Sequence, residues 1–127
     1  MIFDVNMDVS FTRKARLVAD GHKTKPPTSI PHSSVVLRHS VRIALTITSL
    51  NSLEISACDI ENAYLNAPCR EKLWTMAGSE FGSERGSVIK IARALYRLKS
   101  SGAAWRASLA QTKEQLGYKR TQADPDV

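Results

Sequence analysis

An acidic residue closes an apolar run in this chain. Leu53-Glu54-Ile55-Ser56-Ala57-Cys58 leads into Asp59, and Tyr64 follows five positions later. A carboxylate at the exposed end of a buried strand is well placed to hold a divalent cation such as Mg2+, which takes oxygen ligands. An aromatic ring one short turn further on can lie against whatever that cation binds. A plainer use fits the same letters, because Asp also caps short helices. A second chemistry is offered by Arg13-Lys14-Ala15-Arg16, where strand alternation puts Lys14 and Arg16 on one face. Two neighbouring cations repel unless an anion such as a triphosphate lies between them; a solvated strand face is the duller alternative. Further on come Arg85, Lys90, Arg93, Arg97, Lys99, Arg106 and Lys113, with no acidic residue among them. Such a stripe attracts a phosphate backbone, and each phosphate neutralised steepens the log–log salt dependence by about 0.9 on duplex DNA. Scattered solvated charges would leave the same pattern.

The elements that must position these residues are short. Residues 11–19 mix basic and apolar residues as a half-exposed strand does, and Asp20-Gly21 suits a turn. Lys23 to Ser33, with Pro26, Pro27 and Pro31, reads as a loop. Ser33 or Ser34 can cap a helix running to about Asn51. Leu37, Val41, Ala44, Leu45 and Thr48 share one face of that helix, with Arg38 and Arg42 on a neighbouring face. Its many β-branched residues lower its propensity, so packing is expected to stabilise it. Leu53–Cys58 reads as a buried strand. Glu71–Met76 and Ser87–Arg93 read as two more, joined through Gly78, Gly82 and Gly86. A last helix spans about Ser101 to Leu116, with Trp105, Leu109, Thr112 and Leu116 on one side and Gly117 as its stop. Tyr118–Thr121 reads as the start of a strand and Asp124-Pro125-Asp126 as a turn. The fold class expected is α+β.

A chain of 127 residues suits one domain or part of a larger one. The net charge of +6 favours a polyanionic partner such as nucleic acid or nucleotide. Cys58 and Cys69 form no C-x-x-C pair, which points to free thiols in a reducing compartment. His22, His32 and His39 lack metal-ligand spacing. No apolar run approaches the ~18 residues of a membrane span, and the N-terminus carries no signal-peptide pattern. A soluble, intracellular protein with no membrane partner is expected.

Three ordered blocks resemble a known family. Lys14-Ala15-Arg16-Leu17-Val18-Ala19, then Asp59-Ile60-Glu61-Asn62-Ala63-Tyr64-Leu65-Asn66, then Ala94-Leu95-Tyr96-Arg97-Leu98-Lys99 with Ala104-Trp105, resemble the reverse transcriptase of copia-type LTR retrotransposons. Leu116-Gly117-Tyr118 and Ala123-Asp124-Pro125 extend the likeness, which covers nearly the whole chain from about Arg13. The resemblance implies the fingers and part of the palm of a right-hand polymerase. Residues 1–34 and 70–98 would be fingers-like, and residues 35–69 and 99–127 palm-like. It implies two-metal nucleotidyl transfer with Mg2+ or Mn2+. Asp59 would be the catalytic, metal-binding carboxylate, joined by the backbone carbonyl of Ile60. Tyr64 would be a steric gate whose ring fills the space of a ribose 2′-hydroxyl. Asn62 and Ala63 would lie against the incoming nucleotide, as would Tyr96 and Arg97, and Lys14 and Arg16 would meet the triphosphate. Arg93, Lys99 and Arg106 would face nucleic acid. The implied partners are an RNA or DNA template-primer and deoxynucleotides, within a polyprotein that also carries integrase and RNase H. The implied locations are a cytoplasmic virus-like particle or the nucleus.

Two departures bear on activity. The family's second metal-binding element, a Tyr-x-Asp-Asp hairpin, does not occur in the sequence; Asp124 and Asp126 match a turn that precedes it. Asp59 alone leaves two ions with too few carboxylates. The family's usual glycine before Leu-Lys is Arg97, which adds bulk and charge where a glycine would accept unusual dihedrals. A glycine is also absent where Asp20 sits. The expectation is a polymerase fragment inactive on its own. Its competitors are a non-catalytic basic nucleic-acid-binding module and a retroelement relic without function, whose unpaired sheet edge would invite aggregation.

Overall fold

The computed structural model describes residues 2–5, 11, 13–22, 24 and 35–127. Over these residues the chain is α+β. Strand β1 (Ile2–Val5) pairs antiparallel with β2 (Arg13–Arg16), with Asp4 opposite Lys14 and Ile2 opposite Arg16. β2 is shorter than the expected 11–19, but the chain beyond it finds a different neighbour. Val18 makes a parallel bridge with Tyr96, and the Ala19 N–H donates to the Tyr96 carbonyl at 3.0 Å. The turn at Gly21 and His22 follows. Gly21 is buried, and a Cβ there would lie 1.9 Å from the carbonyl oxygen of Arg97, so only glycine lets these two backbones cross. The proline-rich segment, His32 and the expected cap at Ser33 or Ser34 lie outside the described residues.

Helix α1 (Arg38–Leu50) starts later than expected, and its cap position is Leu37, whose side chain cannot accept a hydrogen bond. The acceptor comes from far along the chain. Asp124 Oδ2 accepts from the Leu37 N–H at 2.8 Å and from the Ser40 hydroxyl at 2.7 Å. At the other end, Asn51 donates to the Ile47 carbonyl through both its backbone and its side chain, at 3.1 and 2.8 Å. The packing expected to stabilise α1 is not found among the described residues, and none of the helix's own residues is buried. Its stripe of Val41, Ala44, Leu45 and Thr48 instead lines an open groove of about 290 Å3 with Val36, Ile55 and Val127. No described helix or strand packs on it, so the backbone ladder and the two caps hold it together.

The buried strand expected over Leu53–Cys58 is likewise absent. This segment is unpaired, with Leu53 and Ile55 60% and 63% exposed. A strand needs a hydrogen-bonded neighbour, and no described strand lies beside it. Strands β3 (Trp74–Met76) and β4 (Val88–Lys90) do pair antiparallel, within the two expected runs. The connection between them carries a 3-10 helical segment, Ser79–Glu84, interrupted at Gly82 with φ 55°. Helix α2 (Ser101–Gln115) ends as expected. Gly117 turns left-handed at φ 90°, its N–H donating to Glu114 and that of Tyr118 to Lys113, both at 3.0 Å. This is a Schellman stop. The strand expected over Tyr118–Thr121 is not formed; these residues are exposed, and the Arg120 guanidinium pairs with Glu114 at 3.1 Å. Thr121 donates its N–H to the Val127 carbonyl and its hydroxyl to the Asp124 carbonyl across the turn at Pro125-Asp126.

The core is small and built mostly of alanines. Ala67, Ala94 and Ala104 are buried together, with Tyr64 and Trp105 packed against them, and Leu95 and Leu98 are buried nearby. Small side chains let the 3-10 turn Ala63–Asn66 settle directly on α2. No described helix is long and apolar enough to cross a membrane.

Candidate nucleotide site

Asp59 and Ile60 lie in exposed chain without regular secondary structure, leading into a tight turn. Asn62 takes the left-handed conformation, φ 50° and ψ 39°, which asparagine tolerates better than most residues. The turn is then closed twice. The Leu65 N–H donates to the Asn62 carbonyl at 2.8 Å, and Asn66 Nδ2 donates to the carbonyls of Glu61 and Asn62 at 3.2 and 3.4 Å. This geometry turns the chain between Asp59 and Tyr64, leaving the carboxylate in solvent and the ring half-buried on the alanine core.

A short ladder fixes the opposite wall. The Ala94 N–H donates to Ala67 at 3.0 Å, the Cys69 N–H to Ala92 at 2.9 Å, and Pro68 bridges Arg93. Tyr96 is thereby carried onto Tyr64, with ring centroids 5.0 Å apart and planes tilted by 55°. Above Tyr96, on its other contact, the Arg16 guanidinium carbon lies 5.9 Å from the ring centroid. Three separate sequence blocks therefore meet in one stack. Behind it, the buried Ser101 hydroxyl donates to the Leu95 carbonyl at 2.6 Å and ties the start of α2 to the segment carrying Tyr96.

The remaining candidate residues scatter around this stack. Lys14 sits on β2, and its side chain lies outside the described residues. Ala63 is half-buried and Asn62 exposed, both in the turn. Arg97 is exposed, and its backbone is left-handed at φ 69°, the very conformation a glycine at that position would accept without strain. Arg93 is exposed. The Lys99 ammonium donates to the Thr24 carbonyl at 3.3 Å, and Arg106 is ion-paired to Asp126, so both already have protein partners. Arg106 and Asp126 line a cavity of about 490 Å3 between α2 and the C-terminal turn, and neither Asp59 nor Tyr64 is part of its lining.

Two residues carry more than the sequence signalled. Asp124 reads locally as part of a turn, yet it is 3% exposed and caps α1. The Ser40 hydroxyl first, and the Leu37 N–H next, hold its carboxyl below the usual carboxylate range. Gly21 reads as a simple turn residue, yet it is the crossing point against Arg97. Neither role has a local signal, because each partner is more than 70 residues away.

A family model described as reverse transcriptase (RNA-dependent DNA polymerase) matches residues 3–126. The chain belongs to the reverse transcriptase family. Among its relatives are the Gag-Pol polyproteins of transposons Ty1-ER2, Ty1-MR2 and Ty1-H of Saccharomyces cerevisiae, each 33% identical over 106 residues. The alignment covers 82% of this chain and 6% of each relative, so the chain spans a small part of the curated polyproteins it matches. These Ty1 relatives identify it as a copia-type reverse transcriptase fragment. No solved structure matches it.

Reverse transcriptases generally use Mg2+ or Mn2+. A carboxylate oxygen is the kind of donor such an ion takes. Asp59 is exposed and has no hydrogen bond or ion pair among the described residues, and the Ile60 carbonyl adjoins it. They do not make a two-ion site, since no described group of three His, Cys, Asp or Glu side chains comes together.

Proposed function

We propose that this chain is the nucleotide-facing portion of a retrotransposon RNA-directed DNA polymerase that carries the first, but not the second, of its metal-binding carboxylate elements. The observation that carries the reading is the convergence of Arg16, Tyr96 and Tyr64 beside a turn headed by the free carboxylate of Asp59. In this reading Asp59 and the Ile60 carbonyl hold a divalent ion, and Arg16 and Lys14 meet the triphosphate. The ring of Tyr64 closes the space beside the sugar, so that a 2′-hydroxyl is excluded. Arg93 and its exposed basic neighbours track the template-primer backbone. A bound ion supplies charge neutralisation and activation of an attacking hydroxyl; the chain's own work is positioning, as in phosphoryl transfer generally.

Two measurements test this. Primer extension on poly(rA) with an oligo(dT) primer, in Mg2+ or Mn2+, should give no product from this chain alone; robust Asp59-dependent synthesis would falsify the proposed inactivity. Mn2+ should broaden the NMR signals of Ile60 and Asn62, and this broadening should vanish in Asp59→Asn. Equal broadening in both proteins removes Asp59 from the site.

A further inference from the structure

We infer that Tyr96, clamped by Arg16, is a positioning residue for Tyr64, so that the sugar selectivity of the site is set by a stack of three side chains rather than by one ring. The inference rests on the reading of Tyr64 as the residue beside the sugar. A gate must stand still to exclude a hydroxyl, because a ring free to swing aside discriminates little. Tyr64 sits on a four-residue 3-10 turn over an alanine floor. Alanines support a ring from below, but their single methyl groups offer little to stop it moving sideways. The lateral support is Tyr96, at 5.0 Å between centroids with a 55° tilt, within the range where the positive edge of one ring meets the face of another.

Tyr96 is itself held at three points. Its carbonyl accepts from the Ala19 N–H, its backbone bridges Val18, and the Arg16 guanidinium lies 5.9 Å from its ring centroid, at the outer reach of a cation–π contact. Arg16 and Val18 belong to one continuous stretch of chain, so backbone and side chain of that stretch grip Tyr96 together. An anion on Arg16 would then act on the gate through Tyr96, coupling triphosphate capture to sugar selection.

The chain has three tyrosines, Tyr64, Tyr96 and Tyr118, which makes fluorotyrosine labelling decisive. The full chain is labelled, and each fluorine resonance is assigned by single Tyr→Phe variants. Replacing Tyr96 with Phe keeps the ring and should leave the Tyr64 resonance in place. Tyr96→Leu keeps bulk but removes the ring, and should shift the Tyr64 resonance, while exposed Tyr118 serves as the unchanged reference. Arg16→Leu should move it the same way by less. Titrations with Mg2+-dGTP and Mg2+-GTP supply the second readout. The preference for dGTP should fall about two- to tenfold in Tyr96→Leu, the factor an aromatic pair contributes, and return in Tyr96→Phe. A Tyr64 resonance indifferent to Tyr96→Leu overturns the inference. So does an unaltered dGTP preference in Tyr96→Leu when Tyr64→Ala abolishes it. If Tyr64→Ala itself leaves the preference untouched, the gate reading falls instead, and the inferred role of Tyr96 in selectivity falls with it. The fluorine shifts would then still report whether the two rings support one another.

Discussion

Arg97 occupies a left-handed backbone at φ 69°, where a β-carbon crowds the following carbonyl. Arg97→Gly should therefore stabilise the fold by about 1 kcal/mol, after allowing for the entropy glycine loses. A thermal melt should rise by about 4 °C in a chain of this size. The need for glycine was legible from the family pattern; that the strain is actually present came from the dihedral. Asp124 makes the opposite case. Its lowered pKa means that the folded state favours the charged carboxylate. That contribution is complete above the ordinary carboxylate pKa and disappears as pH falls through the lowered folded value. Melting temperature should drop on acidification from about pH 6 to about pH 3, and Asp124→Asn should flatten part of that slope. An unchanged slope in the variant would mean that other carboxylates govern acid unfolding.

The two helices keep themselves folded by different means, and each predicts its own failure. α2 rests on the core through Ala104 and Trp105 and stops at Gly117, with φ 90°. Its extent and its terminal glycine were readable because both are local, but the expected face was not: Ser101 and Ala104 are its buried positions, whereas Thr112 and Leu116 are exposed. Gly117→Ala should cost about 1 kcal/mol by forcing a β-carbon into that conformation, seen as an earlier melt. Among the described residues α1 packs on no other helix or strand, and its first turn is held by the Asp124 cap. Ser40→Ala and Asp124→Ala should each reduce helicity by circular dichroism, and the double variant should lose less than the sum, because both remove the same contact. Additive losses would show that the two side chains act separately. The stripe Leu37, Val41, Ala44, Leu45, Thr48 was visible as periodicity, yet periodicity says which face is apolar and nothing about whether a partner covers it.

Across the whole molecule, apolar surface is left uncovered on many sides. Leu50, Trp74, Met76, Val88, Leu116 and Tyr118 are all more than 60% exposed. The apolar groove along Val41, Ala44 and Leu45 adds a continuous apolar surface, and such surfaces promote association. The chain should bind a hydrophobic dye and form larger species as its concentration rises, with Val41→Ser/Leu45→Ser reducing both; a monomer at all concentrations by sedimentation would contradict this. Taken alone, the order of residues established the α+β class, the family, both helices, the β3–β4 hairpin and the basic character of the chain. Those features arise from side-chain types at short spacing, and short-range physics is written locally. Folding in three dimensions decided which blocks meet: Arg16, Tyr96 and Tyr64 in one stack, Gly21 under Arg97, and Asp124 on the end of α1. It also left Leu53–Cys58 and Tyr118–Thr121 without strand partners. A strand, a long-range cap and a ring stack each need a second segment, and only the path of the backbone brings that segment within hydrogen-bonding or van der Waals reach.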